Sequence, residues 1–519
     1  MTPEEIKRLA VIEKRVNEIF KENGLNTTTI NFEIVSATRM IEALAYRFPT
    51  NFSHWSFGRN FEKEETQYRY TGAGIPYEVV WNFDHPVALL VDTNPFALNV
   101  LIIAHVYGHV DFHLSNMLMR HGRSIADVIA EARSAKKRFL EYEKKYGVDE
   151  VEKVIEAAMA FQYHQNPDPF ADPIPEDESR ERLLESERAR LNELERKASL
   201  SMYPDDSKKL AEEITLAKKR IAYFENHSPP EPEYDILKYV LEKSPKMKKA
   251  WVKDIVTVVR EQMRALAPNF RTQLLNEGWA SYWHINVLHQ LVREKVITYT
   301  ECEEAIVFHE AVTQRSRVRF NVYCIGLAFW KMIEDKYDKG RFGPEWENCK
   351  DREERDSWDK KLGLGRKTMI EFRKRLSDRV AIENYFDDDF IRQEEIYIWE
   401  SYYDETTNEE VFVVVEDRPE VIRQILVQQR TGFGIPSVVV TDGNYDGAGE
   451  LFLRHFFSGF ELDPKYEDGA LEKLYYLWER RVHLLTFEIV SRDEETGAIK
   501  VKGILHSYSS KGHSMLSVD

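Results

Sequence analysis

A chain of 519 residues exceeds the size at which one core keeps growing, so two domains are expected, and 43% apolar with 31% charged residues excludes a largely disordered polymer. Asp and Glu outnumber Lys and Arg by 89 to 72, a formal charge of −17 that repels a phosphate backbone and argues against nucleic acid as a partner. The three cysteines, Cys302, Cys324 and Cys349, have no Cys-x-x-Cys spacing and indicate neither a disulfide framework nor a thiolate zinc site, which fits a reducing, cytoplasmic compartment.

The start, Met1-Thr2-Pro3-Glu4-Glu5, reads as a helix N-terminus with Thr2 as N-cap and lacks the apolar core of a signal peptide. Apolar positions recur at helical spacing over 3–24 and 34–47, and the Val- and aromatic-rich run Tyr77 to Leu90 predicts a short strand pair. The most apolar stretch, Val87 to Val106, is broken by Asp92, Asn94 and Pro95, so no transmembrane segment is expected. From Leu98 to Leu118 the pattern is a helix with histidines every fourth residue, and Ile125 to Tyr146 is an amphipathic helix that Gly147 terminates. A Pro- and Asp-rich stretch, Asn166 to Asp177, leads into a charged excursion at about 178–227, read as a helical hairpin turning near Tyr203-Pro204-Asp205. Ser228-Pro229-Pro230-Glu231-Pro232 closes it, and helices resume from Asp235 to about Asp335.

After Asp387-Asp388-Asp389 the period changes. Val411–Val415, Ser437–Val440, Glu450–Leu453, Val482–Val490 and Ile499–Leu505 read as strands, with helical segments at Pro419–Gln429 and Ala470–Trp478. The expected architecture is a mainly α N-terminal body, residues 1–386, followed by a small α+β C-terminal domain, residues 387–519.

Chemistry concentrates in two segments. In Ala104-His105-Val106-Tyr107-Gly108-His109-Val110-Asp111-Phe112-His113, His105 and His109 are four apart on one helix face, the separation at which two imidazoles can share an ion. His113 continues the stripe but lies about 12 Å of rise from His105, too far for the same coordination sphere. Asp111 points to another face. Two core histidines satisfied by hydrogen bonds would carry the same spacing. Metallopeptidases of the His-Glu-x-x-His type place a general-base Glu after the first His, where this chain has Val106, so any base must come from elsewhere.

The second segment is Asn276-Glu277-Gly278-Trp279-Ala280-Ser281-Tyr282-Trp283-His284, on a helix beginning near Asn276. Glu277 completes a two-His, one-carboxylate set if this helix packs beside the first; as a bland alternative it is a helix N-terminal carboxylate stabilised by the macrodipole. His284 shares its face at about 10 Å, and would face a substrate or orient a ligand. Trp279, Tyr282 and Trp283 read as core aromatics. Glu78, a carboxylate inside the apolar strand Pro76-Tyr77-Glu78-Val79-Val80, is the candidate remote base, with a salt bridge as its alternative. Glu310, beside His309, and His54 are weaker candidates. His455 and His483, lone histidines near strands, read as structural.

Five blocks together resemble the SpoVR (stage V sporulation protein R) family. They are His54-Trp55-Ser56-Phe57-Gly58, the His105 to Phe112 segment, Asn276 to His284, Lys339-Gly340-Arg341-Phe342-Gly343-Pro344-Glu345-Trp346, and Asn444 to His455 with Arg481-Val482-His483-Leu484. The resemblance implies a bacterial cytosolic protein linked to spore cortex formation in spore formers. In non-sporulating relatives it implies a stress operon that also encodes a PrkA-type serine kinase and a von Willebrand A-like protein. It also implies a zincin-like helical core as one option, with no substrate or reaction attached. The chain departs from the family pattern at Val110, His113, Gln273 and Met159, and keeps His105, His109 and Glu277.

The leading expectation is a metal-dependent, zincin-like hydrolase acting on a peptide or peptidoglycan-like amide. His105, His109 and Glu277 would hold a divalent metal, zinc by ligand type, while Glu78 and His284 would serve catalysis. The rival is a non-catalytic adaptor working with the kinase complex.

Overall fold

A computed structural model describes residues 1–45, 78–81, 85–121, 125–166, 168, 170, 174–200, 204–317, 319–404, 409–492 and 499–518. The motif His54 to Gly58 and the residue Tyr77 lie outside them. The chain divides into two compact units, each made of two chain segments: Met1–Lys137 with Arg264–Gly434, and Arg138–Met263 with Ile435–Asp519. Residues 387–434 thus count with the first unit.

The first unit is mainly helical. Helix α1 (Pro3–Glu22) starts at a capping box in which Thr2 accepts from the Glu5 amide and Glu5 accepts from the Thr2 amide. It buries Leu9, Ile12, Val16, Ile19 and Phe20, one helical stripe, into the core. Strands β1 (Asn31–Val35), β2 (Glu78–Trp81) and β3 (Val87–Val91) form a small sheet in the order β1-β3-β2, with β1 parallel and β2 antiparallel to β3. The expected strand pair is therefore present, and β1 joins it through a non-local parallel pairing that the sequence pattern does not signal.

Helix α2 (Phe96–Ser115) is buried on every side from Ala97 to Phe112, which is why its sequence is apolar all round. Against it pack α3 (Gln273–Arg293), α4 (Tyr299–Val312) and α1, and α3 packs in turn on α5 (Val322–Asp338). Glycines set how closely these helices approach. A Cβ on Gly108 of α2 would lie 2.6 Å from the Ala280 Cα of α3, and one on Gly278 of α3 would lie 2.1 Å from the Gly326 carbonyl carbon of α5. Backbone thus meets backbone on both sides of the Glu277 segment.

The α3 terminus is fixed from a distance. The buried Asp378 carboxylate accepts from the Leu274 and Leu275 amides at 2.8 and 3.0 Å, doing for the helix what a local N-cap would do. The helix therefore begins at Gln273, one turn before the expected Asn276, and Glu277 sits past its first turn, which weakens the macrodipole reading of that carboxylate. Asp111 locks α2 to α3: its carboxylate accepts from Trp279 Nε1 at 2.8 Å and from the Asn26 amide at 2.6 Å, beside the buried Arg373 guanidinium. Strands β4 (Ile398–Asp404) and β5 (Glu409–Glu416) pair as a two-stranded ribbon, and the helix Pro419–Thr431 follows.

The second unit carries the charged excursion as two helices, Glu176–Leu200 and Pro204–Asn226, packed on each other as the expected hairpin. Its sheet has five strands, β6 (Val438–Tyr445), β7 (Glu450–His455), β8 (Val482–Arg492), β9 (Ile499–Ser509) and β10 (Gly512–Val518), in the order β10-β9-β8-β7-β6. Strands β7 and β8 run parallel, because the helix Pro464–Trp478 connects them and packs on β8, β9 and the helix Val148–Ala160. A mainly helical body with a small α+β C-terminal domain is what the sequence led us to expect. Among the described residues no helix is long and apolar enough to cross a membrane.

Candidate metal centre

Helices α2 and α3 bring His105, His109 and Glu277 together. Each offers one ligand atom, and these atoms lie within 4.8 Å of one another. The Glu277 Oε2 atom sits 3.5 Å from His105 Nε2 and 3.4 Å from His109 Nε2. Two donors bound at about 2.0–2.1 Å to one tetrahedral ion stand about 3.3 Å apart, so the spacing is that of a shared cation. Glu277 Oε2 is buried and accepts no hydrogen bond, a costly state for a carboxylate oxygen unless a cation meets it. The residues fit a divalent metal of the kind bound by imidazole and carboxylate, zinc among them.

The surrounding groups prepare the donors. His109 Nδ1 is 3.0 Å from Asn276 Oδ1, an acceptor only, so Nδ1 carries the hydrogen and Nε2 presents its lone pair toward Glu277. Burial holds the His109 imidazole below its usual pKa, keeping it neutral. Burial would raise the Glu277 carboxyl, but the neighbouring His109 and His105, with Tyr323 adding to them, outweigh it and hold Glu277 below its usual range. The Tyr323 ring, from the first turn of α5, stacks on His105 with centroids 6.1 Å apart.

Glu78, at the start of β2, reaches the same place from a third element: its Oε1 is 4.0 Å from His105 Nε2. Burial pushes its carboxyl up, with the nearby Glu277 charge adding to the rise. His284 is buried on α3, with Nδ1 3.0 Å from His105 Nδ1, on the side of the ring away from Glu277. His113 lies outside the trio; its ring stacks on His109 at 6.3 Å, and burial lowers it to about 3. Glu310 is exposed on α4, while His309 meets His284 Nε2 at 2.7 Å. Asn276, Tyr323 and His309 are the members that sequence reasoning missed. Asn276 stands inside the segment Asn276 to His284, where an amide beside a carboxylate is a signal for a His-orienting group; Tyr323 and His309 lie on other helices with no spacing signal.

Two histidines of the second unit are paired otherwise. His455 Nδ1 meets Thr486 Oγ1 at 3.0 Å, and His483 meets Ser507 Oγ at 2.8 Å and Glu450 Oε2 at 2.7 Å.

A model of the SpoVR family, described as "SpoVR like protein", matches residues 3–435. The chain is also similar to "Uncharacterized protein YcgB" of Escherichia coli (strain K12), with 28% identity over 341 residues, 62% of this chain and 64% of that protein. The matched stretch thus spans slightly less than two thirds of the relative's own length. No solved structure matches. With the family model covering both α2 and α3 and far more than half of the sequence, the chain belongs to the SpoVR family.

Proposed function

We propose that this chain is a metal-dependent hydrolase, zincin-like in its donor set, that cleaves an amide in a peptide or peptidoglycan-like substrate. The observation that carries the proposal is the buried, unpartnered Glu277 Oε2 facing two imidazole Nε2 atoms at 3.4 and 3.5 Å. A divalent cation, zinc by ligand type, would supply Lewis acidity there, polarising a carbonyl and making a water more acidic. The chain's own groups do the rest. Glu78, raised by burial and close to the centre, takes the proton of the attacking water, the task that Val106 cannot perform, and returns it to the amine nitrogen as the C–N bond breaks. His284 orients His105 from behind rather than touching substrate. Glu277 and the two imidazoles would fix the reacting centre. In a SpoVR protein this activity would serve spore cortex formation or a stress response in the cytoplasm.

A second reading is a non-catalytic adaptor of a PrkA-type serine kinase and a von Willebrand A-like protein, with the cation as a structural clamp. What favours it is the fully buried Val106 at the position where zincins carry their base. Elemental analysis of purified protein separates metal from no metal: about one divalent ion per chain is expected in the wild type, and a folded, metal-free wild type would overturn both readings of the site. Release of fragments from peptidoglycan-derived peptides, lost in Glu78→Gln at unchanged metal content, supports the hydrolase; a loaded protein with no such release favours the adaptor.

A further inference from the structure

Three imidazoles from three helices stand in a line that ends at the candidate metal centre. His105 of α2 meets His284 of α3 through their Nδ1 atoms at 3.0 Å, and His284 Nε2 meets His309 Nδ1 of α4 at 2.7 Å. A neutral imidazole has one N–H and one lone pair, so every contact in the line needs one donor and one acceptor. A choice at either end therefore dictates all three tautomers. If His105 Nε2 presents its lone pair toward Glu277, then His105 Nδ1–H donates to His284 Nδ1, and His284 Nε2–H donates to His309 Nδ1. In the opposite polarity His309 donates, His284 Nδ1–H donates to His105 Nδ1, and the hydrogen of His105 lies on Nε2, where it blocks ligation.

We propose that His309, acting through His284, is a positioning residue that sets the tautomer of His105 and thereby tunes the cation affinity of the centre. The inference rests on the metal reading of that centre and says how it is regulated. The decisive property of His309 is an acceptor at the Nδ1 position. Burial, with the Lys331 ammonium next in weight, lowers His309 to about 4, so the ring is neutral near pH 7 and has one nitrogen able to accept. The ring is only half-buried on α4, so its replacement need not open a void in the core.

The test is zinc affinity of the full chain at pH 7.5, measured by competition with a chromogenic chelator. His309→Asn keeps an acceptor oxygen close to the Nδ1 position, whereas His309→Gln moves it one bond further and His309→Phe removes it. Loss of the direct hydrogen-bond partner of a ligating imidazole weakens binding by about 10- to 100-fold; His309 stands one bond further out, so the low end, about 10-fold, is expected for Gln and Phe, with Asn within about 3-fold of wild type. Melting temperatures of the metal-stripped variants confirm that the Asn and Gln forms fold alike. Gln binding zinc as tightly as wild type, or Asn as weakly as Gln, overturns the inference while leaving the metal reading standing. A wild type without zinc affinity removes that reading itself, and the regulation with it.

Discussion

The sheet histidines His455 and His483 and the helix pair His105 and His109 are all buried, yet they differ in what their polar atoms meet. In the C-terminal sheet His483 uses both ring nitrogens, one on Ser507 and one on Glu450, and His455 meets Thr486. Between α2 and α3, His105 and His109 spend their Nδ1 atoms on His284 and Asn276, while both Nε2 atoms converge on a carboxylate oxygen that accepts no hydrogen bond. A closed set of donors and acceptors stabilises a fold; a set left open at one point offers a place for a cation. The distinction lies in which nitrogen is left over, a property that residue type and burial do not reveal.

The contrast breaks most directly by truncation. His109→Ala is expected to abolish stoichiometric metal binding, whereas His483→Ala leaves metal content unchanged and costs about 1–3 kcal/mol of stability through the unmatched Glu450 and Ser507 groups. Elemental analysis and denaturant unfolding of the pair check both halves, and equal metal loss in the two variants would remove the contrast.

Glycines sharpen the comparison next. Gly278→Ala forces a methyl into the Gly326 backbone, and about 3 kcal/mol or more of destabilisation is expected. Gly469, on the helix Pro464–Trp478, has nothing within 4 Å of an added Cβ, so Gly469→Ala should stabilise by about 0.5–1 kcal/mol. Urea unfolding midpoints of the two variants should move in opposite directions.

Acid comes third. Burial lowers His113 to about 3 and His309 to about 4 in the first unit, and His164 to about 4 in the second. Each is a histidine whose folded form binds its proton later than the unfolded chain does, so its stabilising share is full above about pH 6.5 and declines as pH falls toward 4. Asp111, raised to about 6, and Asp378, raised to about 7, act oppositely: their cost is paid at neutral pH and is relieved as pH falls. His109, His284 and His455 are lowered as well, and Glu78 and Asp235 are raised, so six imidazoles oppose four carboxyls and the metal-free protein should melt at lower temperature at pH 5 than at pH 7. A higher melting temperature at pH 5 would mean that the raised carboxyls dominate. Smallest of all, Arg188→Ala in the exposed Arg188–Glu225 pair of the hairpin should shift stability by less than about 0.5 kcal/mol.

Much of this organisation was legible in the chain. The helix Ile125–Tyr146 ends at Gly147 as its pattern dictates, and the helix pair of the hairpin follows from its charge pattern. Strands β1, β4 and β10 were not legible. β1 depends on pairing with residues more than fifty positions away, and β10, with exposed Met515 and Leu516, lacks the alternation of a half-buried strand. In the site, the spacing of His105 and His109 with a carboxylate motif elsewhere pointed to a shared ion, and Asp111 does turn to another face. The onset of α3 was misjudged because its cap, Asp378, comes from a distant segment. The role of His309 was hidden because only tertiary packing sets α4 against His284.

The Asp378 cap also bears on biosynthesis. Leu274 and the carboxylate that tethers its amide are separated by 104 positions, and Asp111 reaches Trp279 across 168. During translation the first ligand helix leaves the ribosome long before its counterpart, and the counterpart waits for residue 378 before its leading end is secured. The candidate metal centre is thus a late product of synthesis, assembled by slow, long-range closure, and apolar α2 emerges well before the helices that bury it.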